Sequence, residues 1–486
     1  MTVQAGTVGG SPGMEAPGLP GRLPIAGHIL KWRKDPVALL ADAAHRNDVV
    51  RLGLPGDTFL LTHPQHVKHV LQDNNQNYVK GWVFDRIRPY WGESLLTAEG
   101  DVWRAQRRRV QPSFKREHTH GFAPIVTART AEMLARWEKH ASSKQELALY
   151  SEMTELALVI IGDVLFGVDL WTDAAEMARA AQSALAVLKK RVAALAPLPL
   201  WVPTGDNRRF SGAMRMLNDR IATIVERKRT AGETAGSFLT LLMSARDAET
   251  GAVMSDRQLH EEILGMLQQG HDTVGESLAW TWYLLSLHPE VERKLHLEIA
   301  QVLGDRVPTV ADLPRLPYAT MVLQESLRLY PPVWVIPRDA IHDDQIGGYR
   351  VPAGSTILLS PYLTHRHPEF WENTEAFDPD RFLPARSQGR PKHAYFPFGG
   401  GPRLCMGVDM AMMEMLLITA MVVQRYRIHL VPCYREEPDC VLDMIPRHRV
   451  RATLHPQVPV GQAVPAPSVV VPEAKCPVTG ARAEPV

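Results

Sequence analysis

One cysteine in this chain is set where chemistry is possible. In Phe396-Pro397-Phe398-Gly399-Gly400-Gly401-Pro402-Arg403-Leu404-Cys405-Met406-Gly407 it follows three glycines and a proline, and an apolar helical pattern begins at Val408. Glycine and proline in this density make a tight loop, so Cys405 stands at a helix N-terminus, where free N–H groups and the helix dipole favour a thiolate. A thiolate held in this way is a candidate iron ligand, of the kind whose electron donation promotes O–O cleavage. Arg403, two residues earlier, is placed to meet a carboxylate on the same cofactor, and the glycines let the backbone approach a flat macrocycle. A lone cysteine is more often a buried structural thiol; the loop around this one reverses that.

Three other stretches hold suggestive residues. Glu325 and Arg328 form an i,i+3 acid–base pair in an apolar-periodic segment that must stop at Tyr330-Pro331-Pro332. Ser255 and Gln258 read as a capping box opening a helical segment that reaches His288-Pro289, about 50 Å at 1.5 Å per residue. Midway lies Gln269-Gly270-His271-Asp272-Thr273. Trp103 and Arg107 are one helical turn apart and can reach a single carboxylate together. Two other chemistries fail on inspection. His260-Glu261 lacks the second histidine of a zinc-protease helix, since Leu264 occupies its place, and Gly275-Glu276-Ser277 sits inside a helix, not on a nucleophile elbow.

Phe398, Gly401, Arg403, Cys405 and Gly407 match F-x-x-G-x-R-x-C-x-G, the cysteine-loop signature of the cytochrome P-450 family. With each residue near ~5% usage, five such positions coincide by chance in about one chain in ten thousand. Further segments resemble that family's motifs in its order. Glu325 and Arg328 resemble its E-x-x-R helix, and Phe377-Asp378-Pro379-Asp380-Arg381-Phe382 its P-E-R-F segment, with Asp380 in place of glutamate. The resemblance implies a buried structural network of Glu325, Arg328 and Arg381. Gln269 to Thr273 resembles the [AG]-G-x-[DE]-T of the long helix over the distal haem face, with Gln269 in place of a small residue. That implies catalytic roles for Gly270 (room for oxygen), Thr273 (a hydrogen bond to the oxygen ligand) and Asp272 (a water-borne proton relay). Trp103 and Arg107 resemble the W-x-x-x-R pair that binds a haem propionate, and Arg338 falls where the family often places another propionate-binding arginine. The cofactor implied is haem b (iron protoporphyrin IX), contacted by Phe398, Arg403, Trp103, Arg107 and Arg338, with Cys405 as the metal ligand.

The elements that must position these residues are mostly helices. Long 3.6-period segments fill 100–300, a final helix runs from about Val408 to Tyr426, and short β-prone pieces such as Val49–Leu54, Thr58–Thr62 and Thr356–Leu359 lie towards both ends. The fold class is mainly α: the resemblance, from about Leu23 to Leu454, implies the cytochrome P-450 fold, a large helical domain with a smaller β-sheet region. The expected division is a flexible segment over 1–18, a haem domain over 19–455 and a disordered Pro/Val/Ala-rich tail over 456–486.

Composition excludes several classes. The 486 residues carry 54 Lys plus Arg against 53 Asp plus Glu, so no global field favours nucleic acid. Cys405, Cys433, Cys440 and Cys476 form no C-x-x-C pair, so neither a disulfide framework nor a zinc site is expected, and a reducing cytoplasm fits. The longest apolar stretch near the C-terminus, Met415–Val423, is far short of the ~20 residues of a spanning helix, so no membrane anchor is expected. The family reading implies a soluble, bacterial-type monooxygenase that inserts one atom of O2 into a hydrophobic substrate by hydroxylation or epoxidation. Trp82, Phe84, Tyr90, Trp91, Met266, Val333–Ile336 and Leu442–Ile445 are implied to enclose that substrate: a terpenoid, fatty acyl chain, steroid or polyketide. No flavin module appears, so electrons must come from a separate ferredoxin or flavodoxin with its NAD(P)H reductase, docking by the basic cluster Arg104, Arg107, Arg108, Arg109, Lys115 and Arg116. A peroxygenase or isomerase of the same fold, or a non-catalytic haem sensor, are the alternatives.

Overall fold

The computed structural model describes residues 14–167, 171–194, 197–231, 237–432 and 434–457. Most of the expected leader and tail, with Cys433 and Cys476, lie outside these. Two boundaries are corrected. Residues 14–18, expected to be flexible, are tied down: Met14 N–H donates to Gly348 O at 3.1 Å and Arg350 N–H to Met14 O at 2.9 Å, while Gly18 bridges Arg51. Pro456 ends a strand, and Gln457 N–H donates to Arg425 O at 2.8 Å, so neither belongs to a tail.

The central helix spans Asp256–Leu287. Ser255 Oγ accepts the Gln258 N–H at 3.2 Å, as a cap should, but the Gln258 side chain accepts from Arg109 at 2.8 Å in place of closing the capping box. Every residue from Val274 to Leu285 is buried, which demands neighbours on all sides. The principal one is the Leu149–Phe166 helix, itself buried from Leu156 to Phe166. The two run close because Gly270 has no side chain: a Cβ there would lie 2.6 Å from Ile161 Cγ1. The Val408–Arg425 helix is buried from Met413 to Val423, its methionines filling core.

A five-stranded sheet, in the order Val49–Leu52, Thr58–Leu61, Thr356–Leu359, Ile336–Ala340, Tyr78–Val79, flanks the helices. All its contacts are antiparallel except Thr58–Leu61 against Thr356–Leu359. Strand alternation turns Arg338 inward, leaving it 8% exposed. A second sheet joins Leu147–Ala148, Arg451–Pro456 and Tyr426–Leu430. Among the described residues no helix is long and apolar enough to cross a membrane, and no cluster of three His, Cys, Asp or Glu could hold a metal ion.

Candidate active site

The site is built from below by a buried ion network. Glu325, on the Pro317–Leu329 helix, accepts from Arg328 Nε at 2.7 Å and Nη2 at 2.8 Å, from Arg381 Nε at 2.8 Å and from the Asp378 N–H at 2.9 Å. Arg328 gives its remaining donors to the carbonyls of His365, Thr374 and Ala376. Burial and the neighbouring Arg328 charge hold His365 well below its ordinary pKa, so the neutral ring accepts the Phe396 N–H at 2.9 Å. Phe396 opens the cysteine loop, and Phe398 O accepts the Cys405 N–H at 3.1 Å. A chain of hydrogen bonds thus runs from the ion network to the cysteine.

Gly401 adopts φ +64°, and a Cβ there would overlap the carbonyl oxygen of Leu71, so the loop rests directly on the His69–Asp73 turn. Cys405 follows, three residues before the helix starts at Val408. It is accessible but set deep among protein atoms, and that desolvation pushes its thiol up, against the pull of the Gly407 N–H and the Arg107 charge. Desolvation outweighs that pull, so the helix N-terminus alone does not lower this thiol.

Beside the loop lies a cluster of cations. Arg403 pairs through Nη2 with Glu99, its guanidinium 5.3 Å over the Trp103 ring, while its Nη1 is buried without a partner. Among the described residues the Arg338 guanidinium donates only to Pro337 O, at 2.7 Å, and burial lowers it to about 9. Lys80, 6% exposed, donates to Leu95 O and Ala98 O, and burial lowers it to about 7 against the pull of Glu99. Two guanidiniums and the Lys80 amine gather beside Glu99, with donors to spare. That surplus matches the two carboxylates of a protoporphyrin, so the residues present fit a haem next to Cys405. Sequence reasoning missed Lys80 and Glu99: they lie outside any periodic pattern, and only the fold shows that the Lys80 N–H donates to Glu99 at 2.6 Å. Arg107 Nη1 donates to Leu404 O at 2.9 Å, beside the cysteine, and Trp103 lies against the Arg403 guanidinium.

On the central helix, Thr273 Oγ donates to Gln269 O at 2.9 Å, and the exposed Gln269 amide folds back to Gly265 O at 3.0 Å. A Cβ at Gly270 would run into Ile161, so the glycine lets these two helices pack closely. Asp272, 7% exposed, turns to Gln268 Nε2 and to His271 Nε2 at 2.9 Å, and Gln268 in turn accepts the Tyr90 hydroxyl at 2.6 Å. Burial lowers His271, but the charge and hydrogen bond of Asp272 outweigh it and raise the imidazole above its ordinary value. Asp272 and Thr273 are thus neighbours with separate partners. Tyr90 and Trp91 are buried, while Trp82 is 43% exposed beneath Arg86 and faces outward. The basic cluster carries less free charge than expected: Arg104, Arg108 and Arg116 each have an acidic partner, and Arg109 is buried.

Comparison with known proteins agrees with this geometry. The family model "Cytochrome P450" (here cytochrome P-450) matches residues 17–450. Cyclooctatin synthase of Streptomyces melanosporofaciens is 33% identical over 86% of this chain and 91% of its own length. Cyclooctat-9-en-7-ol 5-monooxygenase of the same organism is also 33% identical, over 85% and 89%. Pentalenene oxygenase of Streptomyces avermitilis is 29% identical over 90% and 97%. A crystallised cytochrome P-450 haem domain superposes with a TM-score of 0.85 at 24% identity, covering 92% of this chain and 99% of that one, a likeness of fold. The chain belongs to the cytochrome P-450 family and is a monooxygenase.

Proposed function

We propose that this monooxygenase holds haem b through Cys405 and hydroxylates or epoxidises a polycyclic terpenoid with electrons from a separate ferredoxin or flavodoxin and its reductase in the cytoplasm. The carrying observation is the buried surplus of cations beside the cysteine loop. When bound, haem supplies the activation of dioxygen. Cys405 coordinates its iron, and Arg338, Arg403 and Lys80 hold its propionates. Thr273 carries a hydroxyl that donates to Gln269 O within the helix. Asp272 holds a proton-accepting oxygen between Gln268 and His271, one residue from that hydroxyl. The terpenoid class is supported by the names of the relatives, cyclooctat-9-en-7-ol 5-monooxygenase and pentalenene oxygenase among them.

The carbon monoxide difference spectrum of the reduced protein tests this reading. A strongly red-shifted Soret band is expected, lost in Cys405→Ala. A histidine-type band in the wild type, or a Cys405→Ala variant that still oxygenates substrate, sinks it.

A further inference from the structure

The central helix carries a polar stripe that the proton relay only half uses. Gln268, Asp272 and Glu276 recur every four residues and so share a face. The first two are bonded to each other. Glu276 is 1% exposed, and its Oε2 is buried with no hydrogen-bond partner. A buried polar atom in that state requires an explanation, because desolvation is otherwise uncompensated.

Its surroundings supply one. A turn further on, Trp280 Nε1 donates to Met444 O at 2.9 Å, which fixes the turn between Pro438–Cys440 and Met444–Pro446 against this part of the helix. Asp443 ends that turn. The charge of Lys189, on the Trp171–Ala193 helix, acts on both Glu276 and Asp443. Burial, then the charges of Asp443 and Asp272, push Glu276 well above the ordinary carboxyl range, and burial raises Asp443 to about 6. Both shifts run toward the protonated form, and a protonated carboxyl both donates and accepts a hydrogen bond, as an alcohol does.

We infer that Glu276 and Asp443 form a polar subsite of the substrate cavity that hydrogen-bonds a hydroxyl already present on the substrate. The enzyme then takes an oxygenated polycyclic hydrocarbon over its parent, and an earlier hydroxylation or water-quenched cyclisation must supply that alcohol. This rests on the reading above that the central helix and the Leu442–Ile445 turn face the substrate.

The test uses haem-loaded protein and three probes with one rigid skeleton: adamantane, 1-adamantanol and 1-adamantylamine, titrated by the spin-state shift of the Soret band. The alcohol is expected to bind wild type about tenfold tighter than the hydrocarbon, one buried hydrogen bond's worth. Glu276→Leu removes that preference without weakening the hydrocarbon, and Glu276→Gln keeps most of it. Asp443→Ala, in the turn, gives the same loss should Glu276→Leu fail to fold. Equal binding of alcohol and hydrocarbon to wild type, no binding of the alcohol, a preference that survives both removals, or tighter binding of the amine overturns the inference. The carbon monoxide spectrum of each sample separates this from failure of the haem-thiolate assignment, which the wild-type band alone decides.

Discussion

Beneath the cysteine loop, Arg328 uses all five of its donors and Glu325 binds two guanidiniums and a backbone N–H. On the central helix, Glu276 leaves an oxygen unbonded. Both regions are buried and charged or polar, yet one is complete and the other is not. Three charges can be buried together when every donor and acceptor is matched, and the result is a single arrangement that fixes Cys405 in place. An unmatched group is unfavourable in the free protein, and a ligand can supply what is missing. In this pair of regions the complete network is scaffold, and the incomplete one is the candidate binding position.

Removing one charge from the complete side has the largest expected effect. Glu325→Ala strands Arg328 and Arg381 without their counter-charge and is expected to cost about 3–5 kcal/mol, read as a fall in the urea midpoint. A loss below about 1 kcal/mol, typical of exposed pairs, breaks the comparison. Glu414 sharpens it from another side. It is fully buried on the C-terminal helix with Oε1 unpartnered, and burial raises it to about 8. The folded pKa lies above the unfolded one, so the native state binds the extra proton and stability falls as pH rises from about 5 towards 8, by up to about 1.4 kcal/mol per pH unit. Glu414→Gln is expected to flatten that dependence between those limits in urea titrations; an unchanged slope refutes the assignment. Gly270→Ala pushes a methyl against Ile161 and is expected to destabilise by about 1–3 kcal/mol, with Ile161→Val in the same chain restoring part of the loss. The smallest effect belongs to the exposed margin of the complete network. Lys294 pairs with Asp380 at 2.7 Å, and Lys294→Ala is expected to change stability by about 0–1 kcal/mol.

Periodicity and turn chemistry reached the elements well. Thr356–Leu359 is the strand expected, the central helix runs between the Ser255 cap and His288, and the C-terminal helix starts at Val408. The cysteine loop and the Glu325–Arg328–Arg381 network were legible through family motifs, since no local rule joins residues 325 and 381. What stayed hidden depends on neighbours distant in sequence. Glu276 and Glu414 look like ordinary helical glutamates until the packing of other helices removes their water. Lys80 and Glu99 meet Arg403 only because a loop near residue 80 lies beside one near residue 400. Gly270 fitted its motif, and only the fold shows that Ile161 on another helix packs against it. Sequence spacing gives a side chain's face, and the fold decides what it meets there.

The contact between Gly401 and the Leu71 carbonyl bears on how this chain can be recombined with its relatives. No residue other than glycine fits that junction, and the opposing surface is main chain, which no substitution can trim. Chimeras with a crossover anywhere between the two segments join a haem loop from one parent to a seat from another. They inherit whatever small difference in backbone path separates the parents, at the point with the least room to absorb it. Segment exchange in this protein is therefore expected to succeed when residues 69–73 and 396–407 travel as one block, though more than 300 positions of sequence lie between them.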